Sequence, residues 1–339
     1  CTILGGMRMN KQNMKNILKM MIFLCLVITL LHLSSRIVEP KQNTKESGIK
    51  YENARGFYGE RQNSLDIIAI GNSDLYNAMN PLQLWHEQGI PSYVCAEPSQ
   101  KIVEAYSLLK QTYLNQTPQL IILEVDELFT KSDVDDLDIS ISETLKEIFP
   151  VFDYHNRWKN IQKDDFIKEK VYNQKILTKG YKYYNNVQSY KGGKSYLKNK
   201  KKSSLTYTTQ YYLNEFIKYA KNNGSQVLLM CCPTANTWTM DKHHTIQKIA
   251  DQYQLQFLDF NMLLDDINFD WTKDTRDGGN HLNDFGAQKV THYLGNYLKS
   301  KYHFQDYRTH QDYQNWNQDY LEYHQKLKYY KGKNGFIGK

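Results

Sequence analysis

Asp66-Ile-Ile-Ala-Ile-Gly-Asn-Ser-Asp-Leu75 is the stretch from which the fold of this chain can be predicted. Residues 67–70 are apolar without alternation, which is typical of a strand buried on both faces of a parallel sheet. Gly71 allows a sharp exit from the strand, because it has no side chain to clash there. Ser73 would then lie just past the carboxyl end of the strand, where open α/β sheets place their ligands. A serine there is either a nucleophile or a helix cap, and this stretch alone favours neither role.

Outward from this stretch, strands alternate with helices, which indicates an α/β fold with a parallel sheet. Further strands are predicted at 92–95, 119–125, 226–231 and 256–259. We therefore expect a three-layer α/β/α sandwich with a five-stranded parallel, flavodoxin-like sheet, preceded by one N-terminal transmembrane helix.

A second group of polar residues lies near the other end of the chain, in Asp277-Gly-Gly-Asn-His-Leu-Asn-Asp-Phe-Gly-Ala287. A serine nucleophile needs a base to take its proton, and the base needs an acceptor on its other ring nitrogen. His281 and Asp277 have the side chains for these two roles. A histidine at a helix start can also serve only as a local hydrogen-bonding group, but its pairing with Ser73 and Asp277 favours a catalytic triad.

Together, the stretches 66–75 and 277–287 resemble the SGNH/GDSL hydrolase superfamily, and the resemblance covers about residues 66–298. In that superfamily a serine follows a strand in the first block, and the last block carries Asp and His. The resemblance implies a serine-dependent esterase or O-acyltransferase that works through an acyl-serine intermediate. It extends to a membrane-anchored subset from Gram-positive bacteria that is associated with cell-wall or surface-polysaccharide modification, which implies a cell-envelope polysaccharide or wall polymer as substrate.

The chain departs from the superfamily pattern at several positions. Asn72 replaces the usual Asp of Gly-Asp-Ser, no glycine follows the second strand, and Glu124-Val-Asp-Glu127 stands where the third block has Asn. Asp277 also lies four residues before His281 instead of three. These departures support a second interpretation, a catalytically lapsed domain that binds surface polymer or helps to assemble an envelope complex.

Four residues are candidates for binding the oxyanion or the substrate, beside the backbone N–H of Ser73. Asn72 precedes the serine, and Gln100 follows the second strand, near where the missing glycine would lie. His155 and Arg157, within Asp153-Tyr-His-Asn-Arg-Trp158, could reach a substrate. On an amphipathic helix such residues more often pair with local acids such as Asp153.

The composition sets limits on partners. The chain has 339 residues, a formal net charge of +7 and 40% hydrophobic residues, enough for a core. Seven of the 43 basic residues are Arg, which argues against groove recognition of nucleic acid, where Arg is preferred. The five cysteines show no metal-ligand spacing with His, so we predict no metal and no cofactor. The oligomeric state stays open.

The N-terminal region predicts a single-pass location in the cell membrane, with the C-terminal domain extracellular. Residues 17–35 are almost entirely apolar and sit at the short end of the range for a spanning helix. Cationic residues are concentrated in and around 1–16, which should remain cytoplasmic. A cleaved signal peptide is the alternative, but no clear small-x-small site follows.

Composition divides the remainder into a polar linker at 36–63, an SGNH hydrolase-like domain at 64–305 and a helical tail at 306–339. Residues 172–206 form an insertion rich in Lys and Tyr, which we expect to be a solvated loop over the edge or mouth of the sheet. Binding of an anionic wall polymer or lipid headgroup is the alternative for this insertion.

Overall fold

The structure is a computed structural model that describes residues 10–129, 132–198 and 203–330. It divides into two compact units. The smaller unit contains the described residues up to Lys41 together with Thr144–Lys170, and the larger contains Gln42–Glu143 and the described residues from Val171 onward.

The larger unit contains a five-stranded sheet in the order β2-β1-β3-β4-β5, with every neighbouring pair parallel. The strands are β1 (Ile67–Gly71), β2 (Ser92–Ala96), β3 (Leu120–Glu124), β4 (Gln226–Cys231) and β5 (Gln256–Asp259). The predicted α/β class and parallel sheet are therefore confirmed. The strand order reverses between β1 and β3, and ligands of such sheets bind outside the carboxyl ends of the strands at this switch point.

Helices connect the strands and flank them. In chain order they are α1 (Lys11–Val38), α2 (Glu52–Arg55), α3 (Ser73–Ala78), α4 (Pro81–Gln88), α5 (Ile102–Thr112), α6 (Asp133–Ile148), α7 (Val151–Tyr154), α8 (Lys163–Ile167), α9 (Tyr207–Asn222), α10 (Met240–Tyr253), α11 (Asp284–Lys301) and α12 (Gln314–Tyr330).

Two apolar cores lie on the two faces of the sheet, because successive side chains of a strand point to opposite sides. Ile68 and Ile70 of β1 pack in one core with apolar side chains of α5, α9 and α10. Ile67 and Ala69 pack in the other with side chains of α3, α4 and α11. The predicted three-layer α/β/α arrangement is confirmed.

In the smaller unit, α1 extends beyond the predicted range 17–35 and has 28 residues, a length of about 42 Å. It is the one helix among the described residues that is long and apolar enough to cross a membrane. Contacts form at its last turn, where Ser35 Oγ accepts a hydrogen bond from the Val151 backbone N–H (3.1 Å).

Residues 42–63 belong to the same compact unit as the sheet, so this part of the predicted linker 36–63 is not a linker. Ala54 and Phe57 are fully buried. The Asn43 side chain is also buried, and it exchanges two hydrogen bonds of 2.9 Å with the backbone of Gln174. The segment was predicted as a linker because most of its side chains are polar. Its few apolar side chains nevertheless determine that the segment packs in the same unit as the sheet.

The insertion covers part of the outer edge of β2, and the expectation of a solvated loop was wrong around residues 178–183, whereas most of residues 186–195 are exposed. Val94 of β2 donates its backbone N–H to the carbonyl of Lys179 (2.9 Å). Lys179, Tyr181, Tyr183 and Tyr196 are buried. An edge strand with unpaired backbone groups invites pairing with other chains, and this cover removes part of that edge. Residues 199–202, the most basic part of the insertion, lie outside the described residues.

The tail also packs within the larger unit through α12. Trp316 and Tyr323 are buried, and the Trp316 ring lies 5.4 Å from that of Trp85 on α4. Trp85 donates its indole N–H to Asn317 Oδ1 (3.1 Å), so the polar end of this buried ring is satisfied.

Candidate active site

The turn after β1 decides which residue caps the following helix. Asn72 is the N-cap of α3, and its Oδ1 accepts the backbone N–H of Asp74 (2.9 Å). Ser73 is the first residue of the helix, so its hydroxyl is not used as the cap. Gly71 is required before it, because a Cβ there would lie 2.5 Å from the Cβ of Glu124. The ambiguity left by the sequence is thus resolved, with capping assigned to Asn72.

Ser73, His281 and Asp277 form a continuous chain of hydrogen bonds at the carboxyl end of β1. Ser73 Oγ lies 2.8 Å from His281 Nε2. His281 Nδ1 lies 2.5 Å from Asp277 Oδ2. The imidazole is therefore placed between a hydroxyl and a carboxylate, which is the arrangement a general base needs.

The Gly-Gly turn explains how Asp277 reaches His281 despite the longer spacing. Gly278 and Gly279 have φ of 77° and 98°, a left-handed conformation that glycine adopts without steric cost. This conformation folds the chain back, so that Asp277 Oδ1 accepts the backbone N–H of His281 (2.7 Å) and of Asn280 (3.2 Å). Both carboxylate oxygens of Asp277 are thus engaged with the histidine.

These contacts set the charge state of Asp277. Partial burial raises the pKa of its carboxyl group, but hydrogen bonds from the ring and the backbone of His281 outweigh burial and hold the pKa below its ordinary value. The carboxylate is therefore charged at neutral pH, where it can fix the tautomer of His281 and stabilise the imidazolium that forms after proton transfer.

A buried acidic cluster lies behind the serine. Asp74 Oδ1 is 4.0 Å from His281 Nε2, and Glu124 ends the neighbouring strand β3. Burial, followed by the charges of neighbouring carboxylates, raises the pKa of both groups well above the ordinary range. Burial therefore favours the neutral form of both carboxyl groups, and a neutral carboxyl group can donate a hydrogen bond.

The other acids of this cluster are neutralised by lysines. Lys242 Nζ lies 3.0 Å from Asp126 Oδ1, and Lys101 forms an ion pair with Glu127. The charge behind Ser73 is therefore balanced by partners on α10 and at the start of α5.

Gln100 is buried beyond the carboxyl end of β2, and its side-chain amide has no hydrogen-bond partner in the described part of the chain. Ser99 just before it has a φ of 51°, which turns the chain sharply. A buried amide without a partner is costly. Its predicted role as an oxyanion or substrate donor would supply the missing partner, and it stays a prediction. The same holds for Asn72, whose Nδ2 donates to Asp74 Oδ2 (3.0 Å).

His155 and Arg157 lie in the smaller unit, where both have local partners. Arg157 donates to Asp165 Oδ1 (2.8 Å) and to the carbonyl of Val38 (2.6 Å). His155 Nδ1 lies 3.2 Å from the carbonyl of Phe152. Arg157 therefore pairs with a local acid, Asp165. A substrate-binding role for the two residues stays a prediction.

The sequence analysis missed a group of cationic and aromatic residues beside Ser73. The backbone N–H of Lys182 donates to the carbonyl of Tyr76 (2.8 Å), which places the insertion against α3, the helix that begins at Ser73. Lys182 Nζ lies 4.1 Å from the centre of the Tyr76 ring, and Arg276 Cζ lies 3.9 Å from that of Tyr184. The sequence contains one indication of this group, since Arg276 directly precedes Asp277 and would therefore lie near the predicted site.

No protein-family model and no curated protein matches the chain. Solved structures similar to it include a protein from Desulfitobacterium hafniense described as lipolytic and of the G-D-S-L family. It is 14% identical and covers 68% of this chain and 97% of its own, with a TM-score of 0.38. Also similar are a lipase/acylhydrolase from Enterococcus faecalis (9% identical, 70% and 97% covered, TM-score 0.38) and the acetyl xylan esterase AlAXEase (13% identical, 69% and 98% covered, TM-score 0.36).

Proposed function

We propose that this chain is a serine-dependent esterase or O-acyltransferase of the SGNH/GDSL type, acting on an acyl ester of a cell-envelope glycan. The observation that carries the proposal is the hydrogen-bonded chain from Ser73 Oγ through His281 to Asp277. It lies at the carboxyl end of β1, next to the switch point of the sheet, where substrates of such folds bind.

In the first step, Ser73 Oγ attacks the carbonyl carbon of the ester while His281 Nε2 takes the hydroxyl proton. The resulting tetrahedral oxyanion collapses, the bond to the sugar oxygen breaks, and His281 returns the proton to that oxygen. The acyl group is then held on Ser73. Base assistance of this kind contributes roughly 10²–10⁴-fold to the rate.

In the second step, water or a hydroxyl of a second glycan attacks the acyl-serine carbonyl. His281 takes the proton of the attacking hydroxyl and then protonates Ser73 Oγ as the acyl–serine bond breaks. Water gives hydrolysis, and a sugar hydroxyl gives transfer. Asp277 remains charged in both steps and stabilises the imidazolium.

The site of action is part of the same proposal. A 28-residue helix with Lys11, Lys15 and Lys19 in its first turns and an apolar stretch after them supports a single-pass anchor with the catalytic unit outside the cytoplasm. In intact cells, external protease should then cleave the catalytic unit and leave a fragment containing α1 in the membrane. Full protection until the membrane is permeabilised would overturn this topology.

Labelling with a fluorophosphonate, which reacts with activated serine hydroxyls, tests the chemistry directly. We expect one adduct, located by peptide mass analysis on Ser73, and no adduct in Ser73→Ala. Ser92→Ala is the matched control, because Ser92 is buried at the amino end of β2 and its hydroxyl has no partner among the described residues. Folded wild-type protein without an adduct would favour the alternative, a lapsed domain that binds surface polymer.

A further inference from the structure

Two cations beside Ser73 lie against aromatic rings, although the charge of Arg276 also acts on its chain neighbour Asp277, whose pKa it lowers. Lys182 contacts Tyr76, and Arg276 contacts Tyr184. Neither forms an ion pair within the residues that the structure describes. Two other partly buried cations of the larger unit do have carboxylate partners, since Lys242 is paired with Asp126 and Arg55 with Glu97.

The two cations also repel each other. Burial lowers the pKa of Lys182, and the nearby charge of Arg276 lowers it further. Arg276 Nε is buried and has no hydrogen-bond partner among the described residues. Two neighbouring cations with a buried, unpaired donor cost stability, and an anion bound to both would offset that cost.

Both cations flank the proposed nucleophile. Lys182 is held to α3 through the carbonyl of Tyr76, one turn after Ser73. Arg276 directly precedes Asp277, and its backbone N–H donates to the carbonyl of His281 (3.1 Å). An anion bound by the pair would therefore lie beside the ester that Ser73 attacks.

Lys182 also lines a cavity of about 380 Å³ on the β2 side of the serine, together with Lys45 and Lys50. Ala96 of β2 lines it too, and Ala96 is the register partner of Gly71, two residues before Ser73. Three lysines and one carboxylate, Glu52, line this space, so its charged groups are mainly cationic, and it is large enough for a sugar-sized group.

We propose that Lys182 and Arg276 form a subsite for an anionic group, a phosphate or a carboxylate, carried by the glycan near its acyl ester, and that the cavity with Lys45 and Lys50 accepts the adjoining part of the polymer. This inference rests on the proposed function and deepens it by naming the substrate class. A planar guanidinium binds two oxygens of a phosphate or carboxylate at once, and the ammonium adds a further charge-assisted hydrogen bond. Fixing the anion in this way selects which ester reaches Ser73.

The test compares kcat/KM for three O-acetyl esters: those of glucose, which is neutral, of glucose 6-phosphate and of glucuronate. We expect wild-type protein to favour at least one anionic ester over the neutral one by ~10-fold or more, the effect of one charge-assisted hydrogen bond. The phosphate and carboxylate arms identify the preferred anion. Lys182→Met and Arg276→Met should each lower the anionic-to-neutral ratio ~10-fold, and Lys182→Arg should retain it.

Lys110→Met is the matched control. Lys110 Nζ makes the same kind of contact with the Tyr106 ring, at 4.9 Å on α5, so its removal tests the loss of a cation–ring contact away from the site. The ratio should stay at the wild-type value in this variant. A wild-type ratio near one, or an unchanged ratio in Lys182→Met and Arg276→Met, would overturn the subsite.

A binding measurement separates this inference from the proposed chemistry. Glucose 6-phosphate and glucuronate, without an ester, are titrated by calorimetry into Ser73→Ala protein at low salt. Binding of one of them that weakens ~10-fold in the additional Lys182→Met variant supports the subsite even if no ester is turned over. If neither binds, the subsite is refuted, whereas a fluorophosphonate adduct on Ser73 would still support the esterase.

Discussion

Ser73 and His281 lie 208 positions apart in the sequence and share a hydrogen bond of 2.8 Å between Oγ and Nε2. β1 and α3 place the serine, and the Gly-Gly turn before α11 places the histidine. α3 and α11 contact each other on one face of the sheet, with Leu75 and Val290 in the same core. The apolar core on this face therefore keeps the side chains of Ser73 and His281 within hydrogen-bonding distance of each other.

The first prediction concerns the nucleophile. Ser73→Ala should lower turnover of short-chain esters at least ~10³-fold, because the acyl-enzyme can no longer form. The melting temperature should change little, since Asn72 and not Ser73 caps α3. Initial rates and thermal melts measure the two effects. Turnover that persists after the substitution would remove Ser73 from the mechanism.

The second prediction concerns the orientation of the base. Asp277→Asn presents an amide N–H to His281 Nδ1 and favours the wrong tautomer, so we expect kcat to fall ~10³-fold or more. Asp274→Asn is the control. Asp274 Oδ2 accepts from Lys289 Nζ (2.6 Å) and from the backbone of Asp270 (2.7 Å), so its loss should affect stability more than kcat. Near-wild-type kcat in Asp277→Asn would show that the carboxylate is not needed.

The third prediction concerns the buried lysine of the insertion. Lys179 is fully buried and contacts Glu60 (2.8 Å) and Asp319 (2.6 Å). Lys179→Met would leave a carboxylate buried without its cation, which costs about 3–5 kcal/mol of the free energy of unfolding. Lys218→Met, which breaks an exposed pair with Glu215, should cost under about 1 kcal/mol. Urea titration measures both, and similar small losses would contradict the assigned role of Lys179.

The fourth prediction concerns the cover of the sheet edge. Gly180 has a φ of 92°, and a Cβ there would lie 2.0 Å from the carbonyl oxygen of Val94. Gly180→Ala should therefore combine backbone strain with a steric clash and lower the free energy of unfolding by more than about 2 kcal/mol. Gly224→Ala, at a φ of 85° with no atom within 4 Å, isolates the strain alone and should cost about 1 kcal/mol. Equal losses in urea titration would mean that the edge cover adapts without cost.

The fifth prediction concerns pH. Burial raises the pKa of Asp66 to about 6, although a hydrogen bond from Gln119 opposes the rise. The folded protein therefore binds a proton that the unfolded chain releases between about pH 4 and pH 6, so this group lowers stability as pH rises through that window. Asp66→Asn removes the penalty and should raise the free energy of unfolding, relative to wild type, by about 1–3 kcal/mol more at pH 7.5 than at pH 4. A difference between the two proteins that does not change with pH would contradict this assignment.

The sequence alone determined the parts of this protein that depend on short-range patterns. Apolar runs predicted the central strands β1, β3 and β4, because a strand covered on both faces needs apolar residues at nearly every position. The edge strands β2 and β5 have shorter apolar stretches and were predicted from the alternation of strands with helices. The polar residues after β1 and before α11 marked the candidate site, since Ser73, His281 and Asp277 have the side chains that acyl transfer requires. The apolar run of α1 was visible for the same local reason.

Tertiary structure decided everything that depends on which distant segments meet. The segment that contains Asn43, Ala54 and Phe57 was predicted as a linker, but these three residues are buried. Burial depends on a few contacts and not on the average polarity of a segment. Lys182 reached α3, the helix that begins at Ser73, only because the insertion contacts β2 at Lys179 and then α3. A spacing in sequence carries no information about such contacts, which follow from how the two apolar cores and the sheet edge are covered.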